Sequence, residues 1–320
     1  MAFLLDDRAR VVFDTDAGVD DGVALLMALH GFPPDAMVGI TTVFGNVDLH
    51  QANHNMKHIL EAMERTDLPV YSGAAKPIIA SVSEERWGGH GPDGFGGESG
   101  VVEASVAAAA SRKNAAVHAL IDLSHKHKGD LVVIAVGPLT NVALAMLLDP
   151  DFVDNVKRFV VMGGLSRGEG NLTPHAEFNV GCDPEATNIV YEHCTGHPEK
   201  LLVVPFETTK DCALPWSVFE ELFAHKSTRI SDYIHRLWSF TKSVSSYNFM
   251  PCDAYAVAPL LHSGVITKAR VLKGHIHLGL DAERGANKWS DEENRADANV
   301  MLITDMDTAI FTELLRRLAA

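Results

Sequence analysis

Four aspartates fall within eight residues: Asp14-Thr15-Asp16-Ala17-Gly18-Val19-Asp20-Asp21. They stand where an apolar strand-like run ends and an apolar helical run begins. Asp20 and Asp21 have an ordinary explanation, because acidic side chains at a helix start complement its dipole and cap free N–H groups. Asp16 has no such explanation. Asp14 and Asp16 lie on one face of a strand beside two further carboxylates, and mutual repulsion would raise their pKa values. A hard divalent cation relieves that repulsion, and oxygen-rich clusters of this kind suit one. An EF-hand loop is excluded: counted from Asp14, its sixth position is Val19 rather than Gly and its twelfth is Leu25 rather than Glu.

Further polar residues follow later apolar runs. Ile40 to Phe44 ends in Gly45-Asn46, Val133 to Val136 breaks at Gly137-Pro138, and Val160 to Met162 breaks at Gly163-Gly164. Gly170 to Asn179 carries Asn171, Glu177 and Asn179, three side chains able to bond hydroxyls. Pro251-Cys252-Asp253 precedes the apolar run Ala254 to Ala258, so Asp253 is either a helix cap or a metal ligand.

The elements that must position these residues alternate along the chain. Strands are expected at Ala9–Asp14, Met37–Phe44, Asp130–Val136, Arg158–Met162 and Lys200–Val204. Helices are expected at Val19–His30, Asp48–Glu64, Asn114–Lys126, Asn141–Leu148 and Pro184–His193. That rhythm predicts an α/β fold, a doubly wound and mostly parallel sheet with helices on both faces. In such a sheet, ligands bind beyond the carboxyl ends of the strands, where the polar breaks fall. No linker divides the 320 residues, and one domain over 1–320 is expected. The Gly-rich stretch Trp87 to Gly100 reads as a loop at a functional mouth. Asp281 to Asn299 reads as an exposed excursion before the last strand and helix, and the only low-complexity tract is Ala107–Ala110.

Composition narrows the classes. A net charge of −15 repels phosphate backbones, so no nucleic-acid partner is expected, while an uncharged nucleoside or sugar is compatible. No apolar run approaches the ~20 residues that span a bilayer. The short, acidic start of the chain does not read as a signal peptide. Four cysteines without a Cys-x-x-Cys pair argue against a disulfide framework, and a reduced, cytoplasmic protein is the expectation.

Taken in order, these segments resemble the nucleoside hydrolases, calcium-dependent N-ribohydrolases whose hallmark is Asp-x-Asp-x-Gly-x-Asp-Asp behind the first strand. The resemblance runs through Thr41–Asn46, Gly137–Asn141, Met162–Gly164, Ala176–Asn179 and Asp253–Ala258. It implies that Asp16, Asp21, Asp253 and the carbonyl of Val136 ligate Ca²⁺, with Asp16 as general base toward the attacking water. It implies that Asp20, Asn46, Met162, Asn171, Glu177 and Asn179 line the ribose, Asn46 counting also among the catalytic groups. The implied reaction is hydrolysis of a ribonucleoside to base and ribose, by a homodimer or homotetramer.

Three departures from the family pattern stand out. Ala17 replaces the usual Pro and Gly22 the usual Ala, and both are expected to be tolerated. Cys252 replaces a histidine that in many members helps to protonate the departing base, which places this chain with the cysteine-containing subset. His90 in Gly89-His90-Gly91 is the other candidate to face the base, and Trp87 and Phe95 flank it as candidate stacking residues. Two rival readings follow. One is a phosphotransferase of the haloacid-dehalogenase type, which also uses Asp-x-Asp but requires different flanking residues. The other is a catalytically weak relative that binds or senses nucleosides.

Overall fold

The structure is a computed structural model that describes residues 4–102, 115–224, 228–290 and 296–320. Ala107–Ala110, the expected helix start at Asn114 and part of the charged stretch after Asp281 lie outside the described residues. Among the described residues, nine strands form one sheet in the order β3-β2-β1-β4-β5-β6-β9-β7-β8. They are β1 (Arg10–Thr15), β2 (Met37–Thr42), β3 (Val70–Ser72), β4 (Leu131–Ala135), β5 (Val156–Met162), β6 (Leu201–Val204), β7 (Ile266–Ile276), β8 (Asn287–Ser290) and β9 (Val300–Met306). Every pairing from β3 to β9 is parallel; β7 alone runs against the rest, pairing antiparallel with β9 on one side and with β8 on the other.

Alternation along β1 divides the core. Val11 and Phe13 join the apolar cluster on one face of the sheet, and Val12 joins the cluster on the other. Helices cover both faces, as a parallel sheet requires. The helix α1 (Val19–Gly31) is buried from Val23 through Ala28 because it packs against the apolar helix Ala254–Leu261. The chain winds outward from β1 in one direction and from β4 in the other, so the strand order reverses between them. A crevice forms at such a reversal.

The expected strands are present with shifted ends: β2 stops at Thr42 rather than Phe44, β6 starts at Leu201, β1 runs one residue further to Thr15, and β5 begins two residues earlier at Val156. The expected helix Asp48–Glu64 is α2 (Leu49–Ala62). The reading of Asp281 to Asn299 as wholly exposed is corrected. Within it β8 pairs with β7, and Ala286, Ala298 and Asn299 are buried. Its polar composition hid an edge strand, whose outer face is free to carry charge. The same reason obscured β7, where Lys268, Arg270 and Lys273 are exposed.

Candidate active site

The candidate residues converge at the carboxyl ends of the central strands. Asp14 and Thr15 close β1, and Asp20 and Asp21 lie in the first turn of α1. Asn46 follows β2, Val136 follows β4, and Met162 is the last residue of β5. Glu177 and Asp253 are the N-cap residues of two helices, Phe178–Cys182 and Ala254–Leu261. Sequence positions more than two hundred residues apart thus meet because their elements all end on one edge of one sheet.

Backbone donors orient the carboxylates. The Asp16 Oδ2 accepts the N–H of Asn46 at 2.8 Å, and its Oδ1 accepts the Asn46 side-chain Nδ2 at 3.0 Å. Gly45 allows that approach, since a Cβ built there would stand 2.0 Å from the Asp16 Oδ2. Asp21 accepts the Thr15 hydroxyl and, at 2.7 Å, the N–H of Gly18. Asp14 is drawn away from this group: its Oδ1 accepts Thr41 Oγ1 at 2.5 Å and Asn141 Nδ2 at 2.8 Å. It braces β1 against β2 and the first turn of the helix Thr140–Leu148.

One oxygen from each of Asp20, Asp21 and Asp253 lies within 4.8 Å of the others, and all three residues are buried. Asp20 stands in this triad where the resemblance implied Asp16, which sits alongside, tied to Asn46. The capping explanation fails for Asp253, whose side chain makes no cap bond. It holds for Asp21, which caps α1 and joins the triad. The Asp20 Oδ1 is buried without a hydrogen-bond partner. Burial raises Asp20 and Asp21 to about 6. Burial first, and then the charges of Asp20 and Asp21, push Asp253 well above the usual carboxylate range. An all-oxygen set with an orphaned acceptor fits a hard divalent cation.

Above the triad lies a cavity of about 280 Å³. Its polar wall includes Asn46, Asn171, Glu177, Asn179 and the Asp20 and Asp253 carboxylates. Glu177 accepts N–H groups from Gly164, Asn179 and Val180, and burial raises it to about 7 against those bonds. Asn179 Nδ2 donates to the carbonyls of Val136 at 2.9 Å and Met162 at 3.2 Å, and so ties the ends of β4 and β5 together. Asn171 is engaged through its Oδ1 with the Phe178 N–H.

The opposite wall is aromatic. His90 accepts the Val19 N–H on Nδ1 at 3.2 Å, which leaves the proton of the neutral ring on Nε2. Burial lowers its pKa to about 4. Trp87 stands edge-on to this ring at 4.9 Å and is 43% exposed. Phe95 is corrected as a stacking candidate: it is fully buried in the core beneath the loop. Cys252 reaches the cavity with its Sγ accepting the Thr209 hydroxyl at 3.3 Å, and burial pushes its thiol up.

Sequence reading missed Trp238, Thr241, Tyr247 and Asn248, which complete this wall. Trp238 and Thr241 project from the helix Arg229–Val244, whose buried face includes Tyr233, Ile234, Leu237, Trp238 and Thr241. That helical spacing was the available signal. Trp238 donates to the Val19 carbonyl at 3.1 Å, so His90 and Trp238 hold the two sides of one residue in α1.

A doubly wound sheet with a buried carboxylate triad under a polar and aromatic cavity defines an α/β protein built to hold a cation and a small hydroxylated ligand. Residues 11–313 match the family described as inosine-uridine preferring nucleoside hydrolase. The chain is 32% identical to the "Inosine-uridine preferring nucleoside hydrolase" of Crithidia fasciculata, over 85% of this chain and 86% of that protein. It is 38% identical to "Probable uridine nucleosidase 2" of Oryza sativa subsp. japonica, over 57% of this chain and 53% of that protein. The chain thus spans about half the length of the plant relatives it matches. The solved structure titled "Inosine-Guanosine Nucleoside Hydrolase (IG-NH)" superposes with a TM-score of 0.86 at 28% identity, covering 98% of both chains. This protein belongs to the inosine-uridine preferring nucleoside hydrolase family.

Proposed function

We propose that the chain hydrolyses the N-glycosidic bond of ribonucleosides, releasing the free base and ribose, with calcium as its resident cation. The observation that carries this reading is the buried triad Asp20, Asp21 and Asp253, with its unpartnered Asp20 oxygen, at the floor of the cavity. These carboxylates, with Asp16 and the Val136 carbonyl as further ligands, would hold the ion. When bound, calcium offsets their charge and acidifies the attacking water. Asp16, oriented by the two Asn46 donors, takes the proton of that water as it attacks C1′. Asp20, Asn46, Asn171, Glu177 and Asn179, with Met162 beside them, bind the ribose hydroxyls. Their carboxylates and amide oxygens favour the positive charge that grows on the sugar as the bond breaks.

At the base end, His90 acts as a neutral Nε2–H donor rather than as an imidazolium acid, because burial disfavours its charged form. Cys252 keeps its proton at neutral pH, and its weak S–H donor meets the Met250 carbonyl at 3.6 Å, so it would have to turn from that carbonyl to reach the base. The phosphotransferase reading is set aside by the family match, and the relatives' names favour an enzyme over a binding protein. We take the active form to be a single-domain, cytoplasmic homodimer or homotetramer with no nucleic-acid or membrane partner. Among the described residues, no helix is long and apolar enough to cross a membrane.

The test is ribose release from inosine, adenosine, guanosine, uridine and cytidine, with and without a calcium chelator. A 2′-deoxynucleoside and the Asp16→Asn variant serve as controls. Release that needs calcium and disappears in both controls is expected. No release by folded, calcium-loaded protein overturns the reading and leaves nucleoside binding alone.

A further inference from the structure

The aspartate turn and the glycine-rich loop meet at one side chain. Asn55 is fully buried in α2, and its Nδ2 donates to the carbonyl of Ala17 at 3.1 Å and to that of Asp93 at 2.8 Å. Its Oδ1 accepts Gln51 Nε2 at 2.9 Å and Ser99 Oγ at 2.7 Å. All four of its hydrogen-bonding capacities are therefore used.

Each partner leads to the site. Ala17 follows Asp16 directly and adopts φ 63°, the left-handed region that alanine enters only when its surroundings impose it. Proline, fixed near φ −65°, could not take this conformation. Asp93 gathers the N–H groups of Phe95, Gly97, Ser99 and Gly100, and so folds the loop that carries His90. His90 returns to the turn by accepting the Val19 N–H. The path from Ala17 through Asn55, Asp93 and His90 to Val19 closes on itself.

We infer that Asn55 is a positioning residue that holds the left-handed Ala17 turn, and with it Asp16, in register with the loop bearing His90. It touches neither the cavity nor the carboxylate triad. The inference rests on the proposed function for its activity and calcium readouts, and the unfolding cycle stands apart from both. Without Asn55, Ala17 is expected to relax toward negative φ and carry Asp16 away from Asn46. Glycine at position 17 adopts the left-handed turn unaided, so it should compensate for the loss of Asn55. A side chain that merely fills space gives no reason for such rescue.

The experiment compares the full-length parent, Asn55→Ala, Ala17→Gly and the double variant by kcat and KM for ribose release, calcium affinity by calorimetry, and thermal unfolding. For Asn55→Ala, kcat and calcium affinity are expected to fall about 10- to 100-fold, as for other groups that orient metal ligands. Ala17→Gly should restore most of that loss in the double variant and raise the melting temperature more in the Asn55→Ala background than in the parent. Unchanged kcat and calcium affinity in folded Asn55→Ala overturns the inference, as does a double variant no better than the single one. If Asn55→Ala does not fold, Asn55→Ser is judged by the same rescue. A parent that releases no ribose refutes the proposed function, and the unfolding cycle then decides the inference alone.

Discussion

The floor of the cavity and its aromatic wall are built on opposite principles. The floor consists of short side chains fixed at strand ends and helix starts, with Asp16, Asp21 and Glu177 held by backbone or amide donors. The wall consists of larger side chains from a loop and from the helix Arg229–Val244, and Trp87 is partly open to solvent. A rigid, hydrogen-bonded floor suits the unvarying part of a ribonucleoside and the chemistry at C1′. A wall of rings, joined to the floor through His90, Trp238 and Val19, suits the part that differs between bases. Chemistry should therefore fail when the floor is altered, and selectivity when the wall is.

The sharpest way to break this division is at Asp16. Asp16→Asn removes the proposed base while retaining the shape, and ribose release is expected to fall about 10²- to 10⁴-fold in kcat with the fold intact. A variant that kept its rate would move the base role elsewhere on the floor. Asn46→Ala, which removes one of the two donors that orient Asp16, should lower kcat about 10- to 100-fold, with the loss read from steady-state kinetics at saturating calcium. On the wall, Trp87→Ala should raise KM by about tenfold, near the low end of base–aromatic stacking energies, while kcat changes little. Equal losses in kcat and KM for Trp87→Ala would show that the wall shares in the chemistry.

The last effect concerns stability rather than rate. Glu177 is raised from 4.5 to about 7 by burial, against its three N–H bonds and with the Glu207 charge adding to the rise. Between those values the native state binds more protons than the unfolded chain. In chelator, its contribution to stability is therefore present below pH 4.5 and is lost as pH rises toward 7. The change amounts to about 3 kcal/mol at most. Denaturant unfolding across this range should show the decline in the parent and a flatter profile in Glu177→Gln. The same decline in both proteins would assign it to other buried carboxylates.

Much of the floor is legible in the order of the amino acids, because its residues follow apolar runs directly and local order carries them to the strand ends. The Asp14–Asp21 cluster and Gly45-Asn46 are of this kind. Edge elements are harder to read: β7 carries Lys268, Arg270 and Lys273 among its apolar residues and β8 is the short, mostly polar run Asn287–Ser290, compositions shared with exposed loops. The wall is harder still, since Trp238 and Tyr247 reach the cavity only when a distant helix docks beside the Gly-rich loop.

Chain order and residue type were enough for the α/β alternation, the carboxyl-end location of the site and the acidic character of its floor. These depend on short-range periodicity and on where apolar runs stop. Tertiary structure alone separated the aspartates. It turned Asp14 toward Thr41 and Asn141, tied Asp16 to Asn46, and gathered Asp20 and Asp21 with Asp253. A carboxylate's role depends on which donors, charges and open space surround its oxygens, and packing brings those neighbours from distant parts of the chain.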